Sequence, residues 1–230
     1  MSKAEDWSTN SENRITITQR IMSKISLRVR EDHFNLFLKI LKPKRDDKIL
    51  DVGIRGDETL SDSNFFEKRY PHPKNLTAVS IEDCQDLFRE KYPQIKFVRI
   101  KQDKPLPFKE KFFDLVVSWA TLEHVGEARE QKFFLKELFR VGKRVFITTP
   151  DRHCFYEPHS GFLFLHWLPD KYFRSICKFV GKIFWADKKN LNPLIKKDID
   201  KILPNRKNVK ILSYKILDFI PSHLMIIKEK

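Results

Sequence analysis

A chain of 230 residues, 41% hydrophobic and 13% aromatic, is long enough for one sizeable core and too apolar to stay disordered, so one α/β domain is the starting expectation. The formal net charge of +14 admits nucleic acid, an anionic membrane surface or an anionic small substrate as partner, but the lysines are scattered rather than blocked, which equally suits a Lys-rich surface. Three widely spaced cysteines (Cys84, Cys154, Cys177) argue against a disulfide framework or a zinc site and for a reducing compartment. The polar opening MSKAEDWSTNSENR shows no signal-peptide core, and the apolar-rich stretch 161–185 is interrupted by Lys171, Arg174, Lys178 and Lys182, so no membrane span is expected. The expected location is cytoplasmic.

In chain order, apolar residues recur at helical spacing from about Ile15 to Leu41, and Lys42-Pro43 should end that helical segment. Lys48–Val52 reads as the first strand. A polar loop follows, then a helix near Asn64–Tyr70 stopped by Pro71 and Pro73. Leu76–Ile81 reads as strand two, about Cys84–Tyr92 as a helix, and Lys96–Ile100 as strand three. Phe113–Ser118 is a continuous apolar run, the pattern of a central parallel strand covered on both faces. Arg129–Arg140 should be helical and Arg144–Thr149 a fifth strand ended by Pro150. Near the C-terminus, Val209–Leu212, roughly Lys215–Phe219 and His223–Ile227 read as short strands, the last two joined by an Ile-Pro-Ser turn into an antiparallel hairpin. Strands alternating with helices imply a parallel sheet with right-handed crossovers.

The stretch KILDVGIRGD (48–57) organises the rest: a short apolar strand stops at Gly53 and Gly56, which allow a tight turn and close backbone approach to a ligand. Five pieces in order, ILDVGIRG, LTAVSIED, QDKPLPF, FDLVVSWATLEHVG and ELFRVGKRVFITTP, resemble the class I S-adenosylmethionine-dependent methyltransferases of the type-11 group. LTAVSIED, TLEHVG followed by Gln131, and EPHSGFLFLHWLP further resemble a surface-polysaccharide-associated subgroup. The resemblance implies an α/β, Rossmann-like fold with helices on both faces of a sheet of order 3-2-1-4-5-7-6, strand seven antiparallel. It also implies a domain over residues 46–230 with a substrate or lid insertion at about 151–205, preceded by a helical segment, 1–45, that packs on or covers the cofactor site.

With S-adenosylmethionine as the implied cofactor, Asp51 would lie beneath its amino-acid tail and Gly53 and Gly56 would let the backbone approach. Arg55 and Asp57 stand where the family has glycines; Arg55 would either reach the cofactor carboxylate or sit in solvent. The usual ribose-acid position holds Ser80, so Glu82, with Asp83 behind it, is the better candidate, against the alternative that Glu82 merely caps the next helix. Asp103 with Gln102 resembles the adenine-binding position, against the alternative of a simple turn aspartate. Ser118, Trp119 and Ala120 would pass under the cofactor, with Glu123 and His124 beside the sulfonium. His124 is a candidate base, being near-neutral in pKa, although a packing role for the Glu-His pair competes. Past strand five, His153, Glu157, His159 and His166 lie among aromatics, and Glu157 or His159 is a candidate base for O-methylation. No spacing there suits a tetrahedral metal, and none is expected.

Tyr172, Phe173, Ile176, Val180, Ile183 and Phe184 read as one helical face with Arg174, Lys178 and Lys182 beside it. Residues 169–185 are therefore either a lid helix or a peripheral membrane contact at an inner leaflet. The function expected is methyl transfer to a hydroxyl of a small, glycan or lipid-linked acceptor. An RNA methyltransferase and a non-catalytic scaffold are the alternatives.

Overall fold

A computed structural model describes residues 17–157 and 161–229. Seven strands form a mixed sheet of order β3-β2-β1-β4-β5-β9-β8, and β6 and β7 make a separate hairpin. This is the expected order once that hairpin is counted. By contacts, the chain divides into two compact units, Met1–Lys104 and Pro105–Lys230.

In the first unit, helix α1 (Ile17–Leu41) ends where Lys42 turns to φ 42° and Pro43 follows. Strand β1 (Ile49–Val52) runs parallel to β2 (Leu76–Ser80), which runs parallel to β3 (Lys96–Arg99); the register sets Asp51 beside Ala78 and Val52 beside Val79. Every residue of β1 is buried, as its apolar run requires. Between β1 and β2 lies the short helix α2 (Phe65–Arg69), and α3 (Gln85–Lys91) precedes β3. Phe34 and Phe37 of α1 are wholly buried edge-on or tilted against Phe65 and Phe66 of α2, with ring centroids 5.7 to 6.1 Å apart. The Ser23 and Ser26 hydroxyls donate to the two Asp62 carboxylate oxygens at 2.7 and 2.6 Å, so α1 is also fastened to the loop that follows β1.

In the second unit, β4 (Phe113–Trp119) is parallel to β5 (Gly142–Pro150), and helix α4 (Ala128–Val141) joins them and packs on both. The helix runs straight into β5 at Gly142, where a Cβ would lie 2.6 Å from Val116 Cγ2; only glycine fits. The hairpin of β6 (Tyr156–Glu157) and β7 (Phe162–Leu163) follows, then α5 (Asp170–Phe179), α6 (Ile183–Ala186) and α7 (Lys196–Ile202). Strand β8 (Val209–Ile216) pairs antiparallel with β9 (Ile220–Lys228), and β9 antiparallel with β5.

Two expectations need correction. The terminal hairpin turns at Leu217 and Asp218, both at positive φ (53° and 63°), not at Ile-Pro-Ser; Val209–Ile216 is one strand and Pro221 lies within β9 opposite Lys215, next to a bulge. Three residues, 217–219, separate the paired Ile216 and Ile220, and a proline is tolerated where a bulge interrupts the ladder. Nor do residues 172–184 share one face. Gly181, at φ 78°, separates α5 from α6, and Phe173 and Cys177 turn inward onto Ala186 and Leu191 while Tyr172, Phe179, Val180 and Ile183 stay exposed. The reason is Arg174, whose guanidinium donates to the Trp185 and Leu191 carbonyls at 2.9 and 2.7 Å and so draws its own side of α5 toward the segment after it.

Leu217→Asn combined with Asp218→Gly should raise stability by about 1 kcal/mol, because asparagine and glycine adopt left-handed turns that cost leucine and aspartate. Urea denaturation checks it; an unchanged or lowered midpoint would contradict a left-handed turn at this place.

Candidate active site

The β1 strand ends in a turn held by hydrogen bonds from neighbouring strands and side chains. Gly53, at φ 101°, donates its N–H to the Val79 carbonyl at 3.0 Å, and the Gly56 N–H donates to Glu82 Oε2 at 2.7 Å. A Cβ on Gly56 would stand 3.2 Å from that oxygen and 3.5 Å from Cys84 Sγ, so the bare backbone is what allows the approach. Asn64 closes the loop: its carbonyl accepts the Arg55 N–H at 3.0 Å and its amide donates to the Arg55 carbonyl at 2.9 Å. The Arg55 residue itself is exposed. Asp57 accepts from the Thr59 N–H and hydroxyl at 2.8 and 2.5 Å; burial opposes its ionisation, but these bonds hold its carboxyl below the usual carboxylate range.

Beneath the turn, Asp51 and Glu67 form a buried acid pair. Burial and the neighbouring Glu67 push the Asp51 carboxyl well above its ordinary pKa. Burial pushes Glu67 up to about 7, even though the hydrogen bond from Asp51 favours its ionised form. The pair thus holds one proton between two carboxyls, with Asp51 as the donor.

At the end of β2, Ser80 is not an acid substitute but a buried strut. Its hydroxyl donates to the Ile54 carbonyl at 2.8 Å and accepts the Glu82 N–H at 3.1 Å, joining the β1 turn to the residue beside it. Asp83, not Glu82, serves the next helix: it accepts the Gln85 N–H at 3.3 Å and pairs with Arg99 at 3.0 Å. Gln102 and Asp103 lie exposed in the turn after β3, Asp103 at φ 58°.

In the second unit, Ser118 is wholly buried at the end of β4, and Trp119 packs on Phe146 with ring centroids 5.3 Å apart. Ala120 turns the chain at φ 51°, a strained value for a residue with a Cβ, held by its N–H bond to the Thr148 carbonyl at 3.0 Å. His124 closes a short 3-10 turn; its Nδ1 bonds the Asn190 carbonyl at 2.9 Å, and its Nε2 lies 3.8 Å from Glu123 Oε1. Glu123, wholly buried, accepts from the Thr149 hydroxyl at 2.9 Å. Asn192 and Gln131 stitch this turn to the segment after α6. The Asn192 N–H donates to the Glu123 carbonyl at 2.7 Å and its amide to the Gly126 carbonyl at 3.1 Å, while the Gln131 amide reaches the Leu122 and Asn192 carbonyls, each at 3.1 Å.

Glu157 is buried in β6, and His159 lies outside the described residues. His166 is buried with Nε2 2.7 Å from the Cys154 carbonyl; burial lowers its pKa, and burial with Glu157 nearby raises the Cys154 thiol to about 12. That thiol is therefore inert. His153 is exposed and faces Asp151 at 3.4 Å.

Sequence reasoning missed Glu58, Asn64, Glu67 and Asn192. The Glu58 carboxylate, nearly buried, accepts from Tyr92 Oη, from Lys91 at 3.0 Å and from Asn64 at 3.1 Å, and so anchors the far side of the glycine turn. The one signal available was its place in a polar loop of unusual length.

Residues 50–145 match the family described as "Methyltransferase domain". No curated protein matches the chain. Among solved structures, the chain is similar to the PH0226 protein of Pyrococcus horikoshii at 16% identity and TM-score 0.55, covering 88% of this chain and 91% of that one. It is also similar to a magnesium protoporphyrin IX methyltransferase from Synechocystis with bound S-adenosylhomocysteine, at 14% identity and TM-score 0.54, covering 95% and 90%. A methyltransferase from Methanosarcina mazei, at 16% identity and TM-score 0.50, covers 81% and 94%. At these identities the structural matches speak to the fold.

Glu67 holds a proton in the folded chain that the unfolded chain releases near pH 4, so the stability it contributes is full below about pH 4 and is lost as pH rises through about 7. Glu67→Gln should therefore gain on the natural chain by roughly 2 kcal/mol between pH 5 and pH 8. Parallel stability curves from denaturant titrations would contradict the pair. Asn192→Ala should cost about 1–3 kcal/mol by leaving buried partners unsatisfied, read in the same experiment.

Proposed function

We propose that the chain, whose residues 50–145 match the methyltransferase-domain family, uses S-adenosylmethionine to methylate a hydroxyl of a small acceptor, with a glycan precursor as the first class to test. The observation that carries the reading is the Gly56–Glu82 contact: a glycine backbone laid directly against a carboxylate at the end of the neighbouring strand. That arrangement suits an adenosyl ligand, which needs both close backbone approach and a carboxylate to accept from ribose hydroxyls. Gly53, Gly56 and Glu82 would hold it from the first unit, with Asp51 fixing the turn from below and Gln102 and Asp103 near the base.

When bound, S-adenosylmethionine supplies a methyl group already activated on a sulfonium. What the chain itself must do is place the acceptor oxygen, exclude water and receive a proton. His124 is the residue assigned to the proton. The Asn190 carbonyl accepts a hydrogen bond from Nδ1, which keeps a proton on that nitrogen and makes Nε2 the basic one in the neutral ring. Glu157 and the segment 151–205 are assigned to the acceptor's surroundings.

Calorimetric titration of S-adenosylhomocysteine into the protein should show binding that Glu82→Ala weakens by at least about tenfold. His124→Gln should keep that binding and lower transfer of labelled methyl to a panel of sugars and polyols by roughly 100-fold or more. No binding by the natural chain would leave a non-catalytic scaffold. Labelled RNA with unlabelled sugars, and binding that falls steeply with salt, would replace the small acceptor with RNA.

A further inference from the structure

Helix α5 shows three faces. Phe173 and Cys177, four residues apart, point into the small core with Ala186 and Leu191. Tyr172, Ile176 and Phe179, at spacings of four and three, form an apolar row that does not share that core. Lys171, Ser175 and Lys178, one residue behind each, form a polar, basic row alongside it. The apolar row stays in water: Phe179 is 91% exposed and Tyr172 52% exposed. The pattern continues with Val180 just before Gly181 and with Ile183, 71% exposed, beyond it.

The same surface extends backward through the 165–167 turn, which contacts both β7 and α5. There Phe164 and Trp167 stand edge to face, ring centroids 5.0 Å apart, each about half exposed. Neither is a loose side chain. Phe164 is held at φ 58° by its N–H bond to the Phe155 carbonyl at 2.9 Å, and the Trp167 indole donates to the Cys154 carbonyl at 2.8 Å. A bulky aromatic in the left-handed region is disfavoured, and here the strain leaves the ring half in solvent. Leu163 and Leu168 complete the patch.

Its charge is of one sign. The Lys171 ammonium lies 4.8 Å over the Tyr172 ring and Lys182 lies 5.0 Å over Phe162, so cations bracket the aromatics. The one acidic residue in α5, Asp170, is engaged by Arg174 and Arg152. Among the described residues no helix is long and apolar enough to cross a membrane.

We propose that this face, from Leu163 through Ile183, docks on an anionic lipid surface, the aromatic and aliphatic side chains entering the headgroup region while Lys171, Lys178 and Lys182 meet lipid phosphates. Protruding aromatic and aliphatic groups flanked by lysines are complementary in both polarity and charge to such an interface.

The full chain should sediment with vesicles of phosphatidylglycerol mixed into phosphatidylcholine, not with phosphatidylcholine alone, and added salt should weaken the association. Phe179→Ser combined with Ile183→Ser should reduce partitioning at least about tenfold, and Lys171→Gln with Lys178→Gln by roughly tenfold, with unchanged thermal melting in both. Lys201→Gln with Lys207→Gln, charge-matched but outside the face, should leave partitioning intact. Absence of sedimentation would overturn the proposal, as would equal loss with the control pair, which would mean that overall charge alone is read. Concentration-dependent self-association abolished by the Phe179 and Ile183 changes, without vesicle binding, would overturn it in favour of a second copy as occupant. The test reads no methyl transfer, so it stands or falls apart from the proposed activity.

Discussion

The hydrogen-bonding of the turn after β1 is the constraint on which the first unit depends. A strand that stops inside a protein leaves backbone donors and acceptors that must find partners. Here Val79, Ser80 and Glu82 at the end of β2 and Asn64 ahead of α2 provide them. The consequence is a loop whose course is set by side chains outside it. Glu58, with Tyr92 and Lys91, anchors its far side, and Asp62 ties it to α1. The departures at Arg55 and Asp57 are accommodated because both residues face outward while Gly56 alone meets the carboxylate.

A different economy governs the second unit. The turn after β4 has to change direction within two residues, and Ala120 does so at positive φ where glycine would be at ease. That strain persists because the residues following it are over-determined. Glu123 is bonded from Thr149 of β5, and Gln131 and Asn192 satisfy three carbonyls of the same turn region and of each other. His124 therefore belongs to a rigid frame, and its ring orientation is set by the Asn190 carbonyl. A rigid frame and a proton acceptor are compatible roles, since a base works only when its basic nitrogen is aimed.

Much of the fold was legible along the chain because parallel strands buried on both faces are continuous apolar runs, and those at 49–52, 76–80 and 113–119 end at glycine, serine or tryptophan followed by polar loops. The hairpin at the C-terminus was legible in kind but not in register. Pro221 carries the stronger turn signature, yet a bulge beside its partner Lys215 lets it sit in a strand, and the positive-φ residues of the turn are Leu217 and Asp218. Residues 172–184 do not follow one ideal helical period, because Gly181 interrupts it and the Arg174 guanidinium bonds the Trp185 and Leu191 carbonyls.

Residue types and their order along the chain were enough to specify the alternating α/β architecture, the antiparallel last strand and the glycine turn after β1. Hydrophobic period and glycine placement are local properties, and they survive without knowledge of partners. What Ser80, Glu82 and Asp83 each do, that Asp51 shares a proton with Glu67, and that Asn192 holds the His124 turn were decided by the folded chain. These depend on which polar groups meet across tens of residues, and a hydrogen bond has no signature until both of its partners are in place.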